Sequence, residues 1–233
     1  MERSRSASGA SVLRIIAAPA LISLAVTLLR LTGELQHWSS TWFSSETGGV
    51  TPSGVSWVVG ITWLAVPFGA YFAFRLAASG QGPESLGKAA ICAACGIAIL
   101  LVWALRILPS PNIGFPRVLI FVWLVMVVAA IIQLSGWPAL FKALLAYGFA
   151  SRIPVAIIMF LAMLGSWGTH YDYVGMPPEF QMPLLPKYFW LAFFPQLVFW
   201  VGFTIVIGSL SGVITAALMK AISRAPAAVN PPA

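Results

Sequence analysis

This chain of 233 residues is 60% hydrophobic and only 8% charged, and its formal net charge is +7. A water-soluble domain carries about 25% charged residues, so too few polar groups are present here to cover a soluble core. The 13 basic residues are spread along the chain. A nucleic-acid interface needs them clustered on one face, so no nucleic-acid partner is predicted. The composition predicts an integral membrane protein.

Six apolar segments are long enough to cross a bilayer as helices, which takes about 20 residues each. In chain order they are residues 13–31, 55–78, 89–108, 117–135, 146–166 and 194–219. Backbone groups cannot stay unpaired in lipid, and the segments lack the alternating pattern of a membrane barrel. The predicted fold is therefore all-α, a polytopic membrane helical bundle of about six transmembrane helices.

The distribution of Lys and Arg predicts the orientation, because cytoplasmic loops are enriched in both. With the N-terminus inside, nine basic residues lie on the inner side and four on the outer side. The predicted topology is N-in and C-in. Residues 1–12 form a flexible cytoplasmic N-terminus, 13–220 the six-helix transmembrane domain and 221–233 a flexible cytoplasmic tail.

The predicted location is a cell membrane, with a bacterial inner membrane as the expected case. Membrane lipids, including those with anionic headgroups, are the expected partners of the scattered basic residues. Two long loops, residues 32–54 and 167–193, are rich in Trp, Tyr, Gly and Pro and fall together on the outer side. Loops of this length tend to be functional or disordered, and their aromatic content favours ordered loops at the membrane surface.

Both histidines of the chain lie in these outer loops beside acidic residues. Glu34 and His37 are one helical turn apart if α-helical geometry continues there, and His170 and Asp172 follow the fifth apolar segment. Imidazole and carboxylate groups can bind a divalent metal ion such as zinc, or act as general acid and base. These four residues are the candidate catalytic and metal-ligating residues, and no other cofactor is predicted.

A second interpretation gives the same four residues only a loop-ordering role. His170 and Tyr171 would then bond loop backbone, and Asp172 would pair with a basic side chain. The basic candidates for that pairing are Arg106, Arg117 and Lys187.

Four residues are candidates for binding a headgroup or solute, namely Arg106, Arg117, Arg152 and Tyr171. Arg152 is the most costly of them, since it lies inside an apolar segment and no acidic residue occurs in any of the six. If the helix begins near Ala146, Arg152 lies about 9 Å into the bilayer. Snorkelling to inner-leaflet phosphates is then favoured over a role in a solute pathway.

Gly208 and Gly212 form a G-x-x-x-G pattern, which predicts close helix packing, either inside the chain or across a homodimer contact. The functional prediction is a non-enzymatic accessory subunit or a passive conduit for lipid or solute. The alternative is a membrane enzyme or metal-binding protein with an outer-facing Glu/His/Asp site. That alternative requires its four side chains to converge, whereas transport requires a polar cavity reaching Arg152.

Overall fold

The computed structural model describes residues 2–45, 55–107, 117–173 and 181–224, with the side chains of 2–11, 106 and 107 left out. Within these ranges every regular element is helical, which confirms the predicted all-α class.

Seven α-helices make up the described chain. They are α1 (Glu2–Leu35), α2 (Ala65–Ala78), α3 (Leu86–Val102), α4 (Arg117–Gly136), α5 (Pro138–Gly165), α6 (Leu184–Tyr188) and α7 (Val201–Arg224). Stretches of π-helix extend α3 through Trp103–Ile107 and join α6 to α7 through Phe189–Phe193 and Pro195–Trp200. Leu184–Ser223 is thereby one helical stretch of 40 residues, which we call the C-terminal helix.

Five helices of the described ranges are long and apolar enough to cross a membrane, so the chain is a multi-pass membrane protein. They are Val12–Leu35, Leu86–Leu105, Arg117–Gly136, Pro138–Gly165 and Leu184–Ser223. The predicted segment 55–78 is not among them. Its helix, α2, has 14 residues and is about 21 Å long, short of the roughly 30 Å of hydrocarbon.

The irregular start of segment 55–78 has a local reason. Gly60 is extended, and Pro67 occupies the first turn of α2, where its missing N–H has no helical partner to lose. The helix therefore begins only at Ala65, so segment 55–78 contains a shorter apolar helix, and the other five predicted segments correspond to helices of spanning length.

Hydrogen bonds join neighbouring helices of the bundle. The hydroxyls of Ser23 in α1 and Tyr147 in α5 lie 2.7 Å apart, and Ser211 Oγ of α7 donates to the Val66 carbonyl oxygen of α2 at 2.7 Å. We call the end where α1 and α5 terminate the loop face, and the end where α2 and α7 terminate the termini face. Both ends of the described chain lie at the termini face, and its assignment to the cytoplasm stays a prediction.

The two glycines of the G-x-x-x-G pattern pack inside the chain. A Cβ atom added at Gly69 of α2 would lie 2.6 Å from the Gly208 Cα, and one added at Gly212 would lie 3.2 Å from the Ala73 Cβ. Small residues let two helix backbones approach this closely. Gly208 and Gly212 therefore form an internal seam between α2 and α7, which is the first of the two predicted uses, and a homodimer contact through them stays a prediction.

The half of the bundle nearer the termini face is filled with apolar and aromatic side chains. Phe72, Leu140, Leu144, Tyr147 and Val206 are each no more than 2% exposed. Rings of Phe72 and Tyr147 meet edge to face, with centroids 5.5 Å apart. The half nearer the loop face is different, because polar groups gather there around an open space.

Candidate functional site

A cavity of about 220 Å³ lies between α1, α5 and the C-terminal helix in the half of the bundle nearer the loop face. Its polar lining comes from elements far apart in the chain. The lining residues that carry the chemistry are Arg30, Thr62, Arg152, His170, Gln196 and Trp200.

Segment 55–64, a short 3₁₀ helix (Ser56–Val59) followed by non-helical backbone up to Leu64, forms one wall of this cavity through Gly60 and Thr62, among others. Non-helical backbone at membrane depth is tolerated only where protein covers it or where it lines a polar space. The segment also satisfies part of its own backbone, since Trp63 Nε1 donates to the Val58 carbonyl oxygen at 2.9 Å. Because α2 begins late, the non-helical residues that precede it are free to line the cavity.

Arg152 lies near the middle of α5, about 20 Å from each end of this 28-residue helix. The prediction that the helix begins near Ala146 is wrong: it begins at Pro138, whose fixed φ suits the first helical position. Arg152 is only 4% exposed, and its guanidinium faces the cavity. The expected snorkelling to inner-leaflet phosphates is corrected to burial inside the bundle.

The hydrogen bonds of the Arg152 guanidinium are few and long. Nη1 donates to Gln196 Oε1 at 3.4 Å and Nη2 to Thr62 Oγ1 at 3.3 Å, against a usual value of about 2.9 Å. The guanidinium carbon lies 5.0 Å from the ring centroid of Trp200, a cation–π distance. Among the described residues Nε has no hydrogen-bond partner.

No carboxylate neutralises Arg152 among the described residues, because both ion pairs found there are made by Glu34. A charge that is buried without a partner costs several kcal/mol, on the order of the desolvation penalty for one ion. An anion bound in the cavity would offset part of this cost. It would also accept shorter, charge-assisted hydrogen bonds from the guanidinium.

Glu34 organises the loop-face end of the cavity. Its carboxylate is fully buried and accepts a hydrogen bond from Arg30 Nε, one turn earlier in α1, at 2.9 Å. The same carboxylate accepts the backbone N–H of His170 at 2.9 Å and contacts the Nδ1 atom of its ring at 2.6 and 2.8 Å. Two segments that are 136 positions apart are thus held together at one carboxylate.

Asp172 has a different role from the predicted one. Its carboxylate accepts the backbone N–H of Gly168 at 2.9 Å and that of Thr169 at 2.8 Å, which caps the short turn His170–Asp172. Lys187 Nζ donates to the backbone carbonyl oxygen of Asp172 at 2.8 Å rather than to the carboxylate. The expected pairing of the Asp172 side chain with a basic side chain is therefore corrected to turn capping.

His37 is separated from the other three candidates. It is exposed just beyond α1, has a left-handed φ of 50°, and makes no side-chain hydrogen bond to any described residue. In the described part of the chain no three His, Cys, Asp or Glu residues form a group that could hold a metal ion. The convergence of Glu34, His37, His170 and Asp172, which the enzyme or metal-binding alternative requires, is therefore not met, because of these four described side chains only Glu34 and His170 are in contact.

Tyr171 and Tyr173 also line the cavity. Tyr171 is 4% exposed, and its hydroxyl donates to the Thr27 carbonyl oxygen at 3.3 Å. Burial raises the pKa of Tyr171 above its usual value and raises the pKa of Tyr173 to about 12. Both hydroxyls are therefore protonated donors at neutral pH. Tyr171 keeps its predicted place as a candidate binding residue.

The other two predicted binding residues are Arg117 and Arg106. Arg117 is exposed at the first position of α4 and is not among the described residues that line the cavity. Arg106 falls in Trp103–Ile107, and its side chain lies outside the described residues.

Four of the six cavity residues named above are not among the candidates that the sequence predicts. Arg30 enters the prediction only as a basic residue of the outer side, and Thr62, Gln196 and Trp200 are uncharged residues within apolar segments. Gln196 carries a usable signal, because an amide directly after Pro195 interrupts an apolar stretch. A buried amide of this kind needs a polar partner, and here its partner is Arg152.

No protein-family model, curated protein or solved structure matches this chain.

Proposed function

We propose that this protein binds a small anionic group, a carboxylate or a phosphate, in the cavity at Arg152, and serves as a non-enzymatic conduit for an anionic solute or lipid headgroup. The observation that carries the proposal is the buried Arg152 guanidinium, which faces a cavity without a counter-ion among the described residues. Buried charges within membrane helices mark binding sites and pathways by default.

The charges around the cavity favour a monovalent anion. Arg30 and Glu34 neutralise each other, and a neutral His170 adds no charge. Arg152 then leaves the cavity lining with one positive charge. Trp200 and the apolar residues Val155 and Met159 can hold an organic group beside the charge.

The size of the cavity favours a small ligand. Pockets for drug-sized ligands measure about 300–1,000 Å³, and this cavity measures about 220 Å³. It is reachable from the loop face, where the side chains of Arg30 and His170 are 15% and 22% exposed. Toward the termini face, the Ser23–Tyr147 hydrogen bond and the apolar core close the bundle. Transport would therefore require the half of the bundle nearer the termini face to open.

Thermal unfolding of the purified protein tests the proposal. We expect sodium acetate, sodium benzoate or inorganic phosphate to raise the melting temperature of the detergent-solubilised protein at constant ionic strength, because a ligand of the folded state stabilises it. A second arm uses nanodiscs of phosphatidylcholine with or without phosphatidylglycerol. Stabilisation by free anions indicates a solute, and stabilisation by phosphatidylglycerol alone indicates a lipid headgroup.

Matched arginine variants complete the experiment. Arg152→Met should abolish the stabilisation, whereas Arg117→Met, at an exposed arginine outside the cavity, should keep it. Equal shifts in wild type and Arg152→Met, or no shift in any arm, would overturn the proposal.

The Glu34–His170 pair favours a second candidate function, a membrane enzyme. A carboxylate that holds the Nδ1 atom of an imidazole leaves Nε2 to accept a proton from a substrate in the cavity. This candidate predicts chemical turnover of a bound solute or lipid. Mass spectrometry of lipids and small acids incubated with wild type and His170→Gln would detect it.

A further inference from the structure

We propose that His170 takes up a proton when the anion binds, so that the cavity binds an anion and a proton together. This inference rests on the proposed function and names a regulation of the same site.

The geometry of the imidazole supports this role. Nδ1 lies 2.6 and 2.8 Å from the two Glu34 oxygens, which favours the tautomer with hydrogen on Nδ1. The ring lines the cavity, and Nε2 has no hydrogen-bond partner among the described residues. Nε2 is therefore the atom left to receive a proton, on a ring that belongs to the lining of the same cavity as Arg152.

Charged or titratable groups from each neighbouring element surround this imidazole. On α1 they are Arg30 and Glu34, and on α5 Arg152 lines the same cavity. The turn of His170 itself adds Tyr171 and Asp172, and the adjoining residue Tyr173 also lines the cavity.

Lys187 of α6 is the remaining charged group among the described residues, and its Nζ donates to the Asp172 backbone carbonyl oxygen.

Without a ligand, burial is the largest influence on His170 and lowers its pKa. The positive charge of Arg30 also lowers the pKa of His170, whereas the Glu34 and Asp172 carboxylates raise it.

An anion changes this balance by adding a negative charge to the cavity. Two opposite unit charges a few Å apart in a protein interior attract by more than about 1 kcal/mol, which converts to about tenfold in affinity. Thermodynamic linkage then makes the effect mutual: the anion raises proton affinity, and the proton raises anion affinity. Anion binding should therefore tighten as the pH falls, with one proton taken up per anion.

Isothermal titration calorimetry with sodium benzoate tests this inference, using the full chain in detergent between pH 5.5 and 8. We expect the dissociation constant in wild type to decrease by about tenfold over this range. Titrations in two buffers of different ionisation enthalpy should report uptake of up to one proton. His170→Gln keeps a donor to Glu34 but cannot take the second proton, so its affinity should be independent of pH.

Two controls separate this inference from the proposed function. His37→Gln replaces the exposed histidine at the same face, and it should keep the pH dependence of wild type. Binding that requires Arg152 but shows the same pH dependence in wild type and His170→Gln would overturn proton coupling alone. Absence of benzoate and inorganic phosphate binding at every pH, with wild type and Arg152→Met alike, would overturn the anion site itself.

Discussion

Glu34 at the end of α1 and His170 beyond α5 share three close contacts, although 136 positions separate them in the chain. The Glu34 side chain is fully buried and that of His170 is 22% exposed, so the contact joins the end of α1 to the turn His170–Asp172 at the loop-face end of the cavity. Arg152, deeper in the bundle, is left without a counter-ion among the described residues.

The Glu34–His170 contact should stabilise the fold measurably. Glu34→Gln keeps the shape of the side chain but leaves Arg30 without its counter-charge, so we expect a loss of about 2–4 kcal/mol of unfolding free energy. A double-mutant cycle with His170→Gln should give a coupling of about 1–3 kcal/mol, because the two residues are in direct contact. Unfolding in mixed micelles monitored by circular dichroism measures both.

His37→Gln is the control for that cycle. Its exposed side chain has no hydrogen bond to a described residue, so it should change stability by less than about 0.5 kcal/mol. Zero coupling between positions 34 and 170 would contradict the contact.

Removing the buried charge of Arg152 should not destabilise the ligand-free protein. Replacing a buried ion by an apolar side chain of similar size is often neutral, or stabilising by about 1–4 kcal/mol. We therefore expect Arg152→Met to melt at the same temperature as wild type or higher, measured without added anions. A large loss of stability in this variant, with Arg117→Met unaffected, would indicate that Arg152 is a structural residue rather than a binding residue.

The stability of the ligand-free protein should depend on pH through His170. Burial is the largest influence on this group and lowers the pKa of His170 below its usual value of about 6.5. The unfolded chain then binds the proton more readily than the folded chain, so stability is lost as the pH falls below about 6.5. Melting temperatures from pH 8 to pH 5 should fall more in wild type than in His170→Gln. An equal fall in both would contradict this assignment.

The seam between α2 and α7 should tolerate no added volume. A Cβ atom at Gly69 would lie 2.5 Å from the Gly208 carbonyl oxygen, so Gly69→Ala must push two backbones apart. We expect a loss of about 1–3 kcal/mol in unfolding experiments. Gly87→Ala is the matched control, because its nearest neighbour would be a Ser85 hydroxyl at 3.9 Å. Equal melting temperatures for the two variants would refute the close packing.

Hydropathy alone was sufficient for the fold class, because the bilayer forces apolar segments of this length into helices. It failed at segment 55–78, where composition cannot reveal that Gly60 and Pro67 delay the helix until Ala65. It also misplaced Arg152, since the helix expected to begin near Ala146 begins at Pro138. Each failure concerns where a helix begins, which depends on local backbone geometry rather than on apolar content.

The candidate site was predictable only in part. Glu34 and His170 could be chosen because the topology places their loops at the same face. The roles of Asp172 and His37 could not, because turn capping and exposure depend on the final course of the loop. Thr62 could not be predicted for another reason: an uncharged polar residue in an apolar segment gains meaning only when its partner, here Arg152, is known. Gln196 carries a signal as an amide within an apolar segment, but the sequence does not show that its partner is Arg152.

Crystals of the protein soaked in sodium bromide offer the most direct measurement of the central claim, that Arg152 is an anion-binding group. Anomalous scattering locates bromide independently of any assumption about the natural ligand. The account predicts an anomalous peak within hydrogen-bond distance, about 3.5 Å, of the Arg152 guanidinium in wild type and none there in Arg152→Met. A cavity without bromide, in crystals that show bromide at other sites, would contradict it.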